Sequence, residues 1–194
     1  MMKRICVYCG SSMGKKQEYA EAAKALGQAL VERNIGLVYG GASVGIMGLI
    51  ADTVLSLGGE VIGVIPQAIA DKEIAHTGLT ELKVVANMHE RKAMMAEYSD
   101  GFIALPGGMG TLEELFEVLT WGQLGFHQKP TGVLNVDGYY DHLIAFLEHA
   151  VDQEYLKANH LDMLQKASEP MALLDLLRDY QAPAVGKWVD RKDL

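Results

Sequence analysis

"GFIALPGGMGTLEEL", residues 101–115, joins an apolar run, a glycine loop and an amphipathic stretch in immediate succession. The apolar run is typical of a strand that is buried on both faces of a parallel sheet. A glycine loop between a strand and a helix is typical of a turn that receives an anion at the helix N-terminus. Two adjacent carboxylates, Glu113 and Glu114, follow these glycines, where their negative charge would oppose an anionic ligand.

The same alternation of strand and helix patterns runs along most of the chain. Five further apolar runs read as strands: RICVYCG, IGLVYGG, EVIGVIP, ELKVVA and PTGVLNV. Helical patterns lie at about residues 17–33, 45–58, 88–98, 111–125, 139–154 and 169–180. This order predicts an α/β fold in which a doubly wound, Rossmann-like parallel sheet carries helices on both faces.

Length and composition indicate one globular unit. The 194 residues, of which 49% are hydrophobic, suffice for one well-buried domain over residues 1–194, with a polar tail at about 183–194. No run of about 18 apolar residues occurs, and the first twenty residues do not have the pattern of a signal peptide. We therefore expect a cytoplasmic protein without a membrane-spanning segment.

Cysteine, histidine and charge patterns argue against three other classes of protein. Cys6 and Cys9 have the spacing of a redox pair, but they lie in a predicted strand rather than at a helix start, so we expect two buried thiols. The histidines form no HExxH pair and no zinc-ligand spacing occurs, so no metal site is predicted. The net charge of -8 argues against nucleic-acid binding.

Three loops rich in small residues follow predicted strands: CGSSMG (9–14), GGASVGIMG (40–48) and PGGMGT (106–111). Each could be an ordinary βα turn. However, the carboxyl ends of parallel strands meet at one sheet edge, and glycine lets a ligand approach backbone N–H groups closely. The three loops together predict a shared anion site, with candidate contacts at Ser11, Gly40, Gly41 and Gly45.

The glycine spacing does not match the two commonest nucleotide motifs. A dinucleotide fingerprint would follow the first strand, and the acidic residue at the expected distance, Glu60, begins a strand at the opposite end. The loop at 40–48 lacks the Lys-Ser/Thr ending of a P-loop. A mononucleotide or sugar phosphate therefore fits the site better than a nicotinamide cofactor, and no cofactor is predicted.

Glu114 allows a structural and a functional interpretation. If Thr111 is the N-cap, Thr-x-x-Glu is the sequence of a capping box, and Glu114 would only close the helix start. Alternatively, Glu114 takes part in chemistry at the anion site.

The segment MHERK, residues 88–92, raises a similar question. Arg91 and Lys92 lie in the first turn of a predicted helix, where cations oppose the helix dipole. They form either a solvated face or part of the anion site. The longest irregular stretch, residues 67–80, is a candidate lid or rim loop.

Several of these segments together resemble a known family. PGGMGTLEE is similar to the PGGxGTxxE motif of the LONELY GUY family of cytokinin riboside 5′-monophosphate phosphoribohydrolases. GGASVGIMG, MHERK and TWGQLGFHQKP match that family in the same order, and the similarity covers about residues 3–155. Some relatives have been labelled lysine decarboxylases, which would require a pyridoxal phosphate site that no motif here supports.

The resemblance implies hydrolysis of the N-glycosidic bond of AMP or an N6-modified adenosine 5′-monophosphate, giving free base and ribose 5-phosphate. It makes Arg91 and Glu114 catalytic. It also implies substrate contacts from Glu73, Lys92, Gly108, Gly110, Thr111, Glu113 and Thr120.

Two questions about partners follow from the resemblance. A non-catalytic carrier of a nucleotide or phosphorylated cofactor, such as the molybdenum-cofactor carriers with a related fold, remains the alternative. A homodimer is expected, since the helix within TLEELFEVLTWGQLGF carries more apolar surface than one stripe requires.

Overall fold

The structure is a computed structural model that describes residues 2–183, except for the side chain of Glu73. Seven parallel strands form one sheet in the order β4-β3-β2-β1-β5-β6-β7. Their bounds are β1 Arg4–Tyr8, β2 Gly36–Tyr39, β3 Val61–Pro66, β4 Glu81–Val85, β5 Gly101–Ala104, β6 Thr131–Leu134 and β7 Leu164–Ala167. Six of them confirm the predicted strands, and the seventh was not predicted. The predicted tail lies outside the described residues beyond position 183.

Eight α-helices connect and flank these strands within the described residues. They are α1 Gln17–Glu32, α2 Gly45–Ser56, α3 Gln67–Ile69, α4 Met88–Glu97, α5 Met109–Gln123, α6 Asp141–Asp152, α7 Ala158–Leu161 and α8 Pro170–Asp179. The six longer helices confirm the predicted helical patterns, whereas the short α3 and α7 were not predicted. Between residues 2 and 183, none of the helices has both the length and the apolar character that crossing a membrane requires.

The sheet is covered on both faces, as predicted for a doubly wound fold. Ile5 and Val7 of β1 pack in a core cluster with apolar residues of α1, α2 and α8. Cys6 and Tyr8, which alternate with them, pack in a second cluster with residues of α4, α5 and α6. Because successive strand residues point to opposite faces, a nearly continuous apolar strand serves both cores. Both cysteines are buried free thiols, which confirms their prediction.

The strand order reverses between β1 and β5, and this reversal positions the predicted anion site. The strands β2, β1 and β5 are neighbours, so the three glycine loops that follow them lie at one sheet edge. In open parallel sheets the crevice at such a switch point receives the ligand. Gly45 adopts a φ of +59°, and a Cβ there would lie 2.3 Å from the backbone carbon of Ser11, so two of the loops are in direct contact.

The stretch 67–80 is more ordered than predicted. It contains α3 and a π-helical turn at Ala70–Ile74. Two backbone hydrogen bonds join it to the glycine loop after β2, from Ser43 N to the Ile74 carbonyl at 2.8 Å and from His76 N to the Gly41 carbonyl at 2.9 Å. His76 Nε2 also lies 2.9 Å from a carboxylate oxygen of Asp52 on α2. The end of this stretch therefore serves as a brace for the glycine loop.

The predicted capping box at Thr111 is wrong. Gly108, in extended conformation, is the N-cap of α5, so the helix begins at Met109 and no side chain caps it. Glycine needs no side-chain hydrogen bond to take this position, and the helix therefore starts before Thr111. Glu114 is consequently the sixth residue of α5, too far from the helix start to cap it.

A side-chain cap of this kind occurs at α4 instead. Asn87 is the N-cap, and its side-chain oxygen accepts a hydrogen bond from Glu90 N at 2.9 Å. The Glu90 carboxylate reaches back and accepts from Ala86 N at 3.0 Å. This reciprocal arrangement accounts for Glu90 without a ligand. It leaves Arg91 and Lys92 as the charged residues of this segment whose roles the helix start does not explain.

Candidate active site

A cavity of about 270 Å³ lies at the crevice between β1 and β5. The loops after β1, β2 and β5 line it together with one face of α4 and the first turns of α5. Seven of the predicted site residues line this cavity: Ser11, Gly40, Arg91, Gly108, Gly110, Thr111 and Glu114.

Arg91 and Glu114 form an ion pair inside the cavity. Arg91 Nη1 lies 3.2 Å from a Glu114 carboxylate oxygen, and the two side chains are only 12% and 10% exposed. The guanidinium is also fixed from the sheet, because Arg91 Nε donates to the Val64 carbonyl at 3.1 Å. A buried pair of this kind, held from two elements, orients both charges toward the cavity.

Gly40 makes room for this arginine. A Cβ at position 40 would lie 2.0 Å from Arg91 Nη2, which is far inside van der Waals contact. The glycine after β2 is therefore required by the position of Arg91 and not by a positive φ.

The environment of Glu114 favours the protonated carboxyl. Burial raises the pKa of Glu114 from 4.5 to about 7, although the charge of Arg91 lowers it in part. At neutral pH the carboxyl is therefore present in both protonation states. A group poised in this way can accept or donate a proton during a reaction.

The thiol of Cys9 lines the same cavity but is not an activated nucleophile. Burial raises the pKa of Cys9 far above its ordinary value, and Arg91 only partly opposes this shift. Since the thiolate is the reactive form of cysteine, covalent catalysis by Cys9 has no support.

The loop PGGMGT after β5, residues 106–111, is called the signature loop, and its backbone is open to the cavity. A Cβ added at Gly108 or Gly110 would meet nothing within 4 Å, so contacts between described residues do not explain these two glycines. Both residues belong to the start of α5, where the first N–H groups of a helix have no partner within the helix. Glycine at these positions lets an anionic group reach those donors closely.

Lys92 forms ion pairs with two carboxylates, those of Glu113 and Glu117, which do not line the cavity. Its Nζ lies 2.6 Å from Glu113 and 2.9 Å from Glu117. Burial alone would lower the pKa of Lys92, but its hydrogen bonds to Glu113 and Glu117 raise that pKa above its ordinary value. Lys92 is thus a charged lysine, and it ties α4 to α5 beside the Arg91–Glu114 pair.

Five other predicted contact residues do not line the cavity. Gly41 and Gly45 shape the loop after β2, and Lys92 and Glu113 pair with each other. Thr120 is exposed on α5, where its hydroxyl donates to the Phe116 carbonyl at 2.7 Å. The Glu73 side chain lies outside the described part of the structure. That these residues contact a substrate stays a prediction.

Several lining residues were not predicted from the sequence as contacts: Val7, Tyr8, Cys9, Gly10 and Met47. Cys9, Gly10 and Met47 lie within the glycine loops after β1 and β2, so including every residue of those loops would have found them. Tyr8 carries no such signal, because it reaches the cavity through strand alternation. Among residues 2–183, no three His, Cys, Asp or Glu side chains come together in a way that could hold a metal ion.

Comparisons of the sequence with known proteins show the family to which the chain belongs. Residues 47–177 match a family model described as "Possible lysine decarboxylase". The chain is 54% identical to a probable cytokinin riboside 5′-monophosphate phosphoribohydrolase of Oryza sativa subsp. japonica, LOGL6, over 92% of this chain and 71% of the relative. It is 53% identical to the cytokinin riboside 5′-monophosphate phosphoribohydrolase LOG1 of Arabidopsis thaliana, over 92% of this chain and 84% of the relative.

Comparisons with solved structures find the same fold in more distant proteins. The molybdenum cofactor binding protein of Rippkaea orientalis has a TM-score of 0.69 and 23% identity, over 92% of this chain and 96% of that protein. The molybdenum cofactor carrier protein of Chlamydomonas reinhardtii has a TM-score of 0.69 and 20% identity, over 93% of this chain and all of that protein. At these identities the likeness extends to the fold alone.

Proposed function

The chain belongs to the LONELY GUY family of cytokinin riboside 5′-monophosphate phosphoribohydrolases, and from this premise we propose how its buried Arg91–Glu114 pair hydrolyses a nucleotide. The enzyme is a hydrolase that cleaves the N-glycosidic bond of AMP or of N6-modified adenosine 5′-monophosphates. The products are the free base and ribose 5-phosphate.

The observation that carries the mechanism is the pairing of Glu114 with Arg91 at the switch-point cavity. When the bond between C1′ and the base breaks, its electron pair leaves with the base and positive charge develops on the ribose. A fixed carboxylate beside the sugar stabilises this charge more in the transition state than in the ground state. Glu114 supplies that carboxylate.

Glu114 also handles the proton of the attacking water. The water oxygen bonds to C1′, one of its protons remains on the new hydroxyl, and the other passes to the carboxylate. The released base takes up one proton, so that bonds and charges balance over the cycle. A carboxyl with a pKa near 7 suits this exchange, because both of its protonation states are accessible at neutral pH.

Arg91 holds the catalytic carboxylate in place and adds positive charge beside the departing base. It does not act as a general acid near neutral pH, because a guanidinium stays protonated there. The 5′-phosphate binds to backbone donors of the loop after β1, at Ser11, and of the start of α5, at Gly108 and Gly110. The loop thus receives the phosphate, while Glu114, one turn further along α5, meets the sugar.

Incubation with AMP tests the function directly. We expect adenine and ribose 5-phosphate to appear in equal amounts by chromatography. Adenosine, which lacks the phosphate, should react with a kcat/KM lower by about tenfold or more, because the binding energy of the phosphate is lost. Comparing AMP with its N6-isopentenyl derivative would then identify the preferred base.

The carrier alternative gives the opposite result in the same experiment. A carrier would bind AMP and return it intact after prolonged incubation. The molybdenum cofactor proteins share the fold with this chain, and fold alone does not distinguish the two functions. The buried ion pair favours hydrolysis, since a carboxylate beside a phosphate site weakens simple anion binding.

The state of Lys92 does not favour the decarboxylase description of the matching family model. A lysine that forms a Schiff base must lose its proton, which a lowered pKa assists. The pKa of Lys92 is raised instead, because Glu113 and Glu117 outweigh its burial. Lys92 is therefore better suited to holding the helix pair together than to covalent chemistry.

We further propose that the enzyme is a homodimer that pairs through α5. Five apolar side chains along this helix and its end remain only half-buried: Leu112, Phe116, Leu119, Trp121 and Leu124. Beside them lies a groove of about 500 Å³ that is lined by Phe102, Trp121 and Phe126 together with Ala93 and Ala96. A second copy would cover this surface.

Thr120→Arg should separate the two copies. The position is exposed, so the new charge disturbs a partner rather than the fold. Light scattering should give twice 21.1 kDa for the wild type and 21.1 kDa for the variant. Ala145→Arg, on an exposed position of α6, is the matched control and should stay dimeric. A wild type of 21.1 kDa at micromolar concentration would rule out the dimer.

A further inference from the structure

The turn between β6 and α6 carries two adjacent tyrosines that form hydrogen bonds to the backbone of the signature loop. Tyr140 Oη donates to the Leu105 carbonyl at 2.6 Å, and Tyr139 Oη donates to the Gly107 carbonyl at 2.6 Å. The two carbonyls lie on either side of Pro106. Both phenols therefore reach the backbone of the loop from outside the catalytic cavity.

The turn itself is held firmly. The Asn135 side chain accepts from Tyr140 N at 2.8 Å and donates to a carboxylate oxygen of Asp141 at 2.7 Å. Asp137 and Gly138 adopt positive φ values of 49° and 68°, so the chain reverses sharply before the tyrosines. These contacts fix the direction in which both rings project.

The same turn also reaches the loop after β1. Asp137 forms an ion pair with Lys16, at the end of that loop. The Tyr139 ring meets the Tyr19 ring edge-on, with centroids 5.6 Å apart. Tyr19 in turn fills the space beside Gly14, where a Cβ would lie 2.7 Å from its ring. The turn thus braces two of the three loops that surround the site.

The planarity of the peptide bond connects the Tyr139 hydrogen bond to the ligand side of the loop. The Gly107 carbonyl and the Gly108 N–H belong to one planar trans peptide, in which they point in opposite directions. A donor that fixes the carbonyl also fixes the N–H. Without it, a loop with glycines at 107, 108 and 110 would sample many orientations, and ligand binding would have to order them.

We propose that Tyr139 is a positioning residue for phosphate binding: its hydroxyl orients the Gly107–Gly108 peptide so that the Gly108 N–H faces the 5′-phosphate. This role rests on the proposed function, because it takes the loop as the phosphate site. In this role Tyr139 acts through the backbone of the loop rather than as a catalytic residue. Tyr140 anchors the start of the loop from within the core, where it is only 1% exposed.

The difference in burial between the two tyrosines makes Tyr139 the better test. Tyr139 is 41% exposed, so water can satisfy the Gly107 carbonyl after Tyr139→Phe and the fold should be kept. Tyr140→Phe would leave the Leu105 carbonyl buried without its donor, and its melting temperature should fall. Tyr155→Phe is the matched control, because Tyr155 is 93% exposed.

The experiment measures binding of ribose 5-phosphate and of adenosine by titration calorimetry. For Tyr139→Phe we expect the Kd of ribose 5-phosphate to rise by about 3- to 10-fold, the equivalent of one hydrogen bond. The Kd of adenosine and the melting temperature should stay unchanged, and Tyr155→Phe should match the wild type throughout. Equal weakening of both ligands would point to general loosening and overturn the positioning role.

Two further outcomes separate this role from the proposed reaction. If the wild type binds ribose 5-phosphate and Tyr139→Phe binds it equally well, the positioning role is wrong and the hydrolase stands. If the wild type binds ribose 5-phosphate, loses affinity in Tyr139→Phe, but leaves AMP intact, the positioning role holds and the hydrolase is wrong. A wild type that does not bind ribose 5-phosphate would overturn the positioning role, while the incubation with AMP would still decide the hydrolase.

Discussion

Glu114→Gln should lower kcat for AMP hydrolysis by about 10²-fold or more, equivalent to roughly 2.7 kcal/mol of transition-state stabilisation. A neutral amide cannot stabilise a developing sugar cation or take a proton from water as a carboxylate does. Glutamine has nearly the same shape and can still accept from Arg91, so the cavity should persist. AMP should therefore still bind, which titration calorimetry can measure alongside steady-state turnover.

The pH profile provides an independent check on this assignment. Because the carboxylate is the active form, kcat/KM should rise with pH through an apparent pKa near 7, the value to which burial raises Glu114. The AMP phosphate titrates near pH 6 by itself and contributes a second, lower step. The residual activity of Glu114→Gln should lack the step near 7 and retain the lower one.

The raised pKa of Glu114 also affects stability, which should fall with rising pH where kcat/KM should rise. Since the pKa of Glu114 is higher in the folded chain than its ordinary value of 4.5, the folded state binds this proton more tightly. The resulting stabilisation is fully present below about pH 4.5 and is lost as the pH rises through about 7. Glu114→Gln should remove this contribution to the pH dependence of the melting temperature.

The outcome that would contradict the catalytic assignment concerns activity. If Glu114→Gln folds normally and hydrolyses AMP at the parent rate, Glu114 is not catalytic.

Arg91→Ala should reduce kcat/KM for AMP by about 10²-fold or more at neutral pH. It removes a charge from the cavity and leaves the Glu114 carboxyl without the ion-pair partner 3.2 Å away. Because Arg91 lowers the pKa of Glu114, that pKa should rise further in the variant, and less carboxylate would be present at pH 7. Part of the lost activity should return at higher pH.

Two comparisons make the Arg91 test specific. Arg33→Ala removes an arginine that pairs with Asp175 on the surface, away from the catalytic cavity lining, and should leave turnover unchanged. The double variant of Arg91 and Glu114 should lose little more than the worse single variant, because both act in one transition state. Full additivity of the two losses would contradict a joint role.

Most of the fold could be predicted because the buried strands are almost continuously apolar. The missed strand β7 has the sequence LQKA, and as an edge strand it needs fewer apolar side chains than the central strands. The position of the capping box was wrong for a local reason. Thr111 and Glu114 have the right spacing, but Gly108 starts the helix earlier, and Asn87 with Glu90 forms the reciprocal cap at α4.

Only part of the candidate site could be predicted from the sequence. Its loops could be found from glycine patterns, and Arg91 and Glu114 from their unusual charge placement and from the family motif. Tyr8 and Tyr139 could not, since each reaches the site or its loops only through the packing of distant segments. Likewise, the raised pKa of Glu114 comes from burial, which residue spacing does not encode.

Gly40 contributes to this site because it has no side chain. The guanidinium of Arg91 occupies the volume that any side chain at position 40 would need. In alanine scanning a substitution usually removes side-chain atoms, whereas Gly40→Ala adds a methyl group. Its effect should therefore resemble displacement of Arg91 more than a change in backbone freedom. We therefore expect a larger residue at position 40 to be tolerated only where the arginine at position 91 is replaced as well.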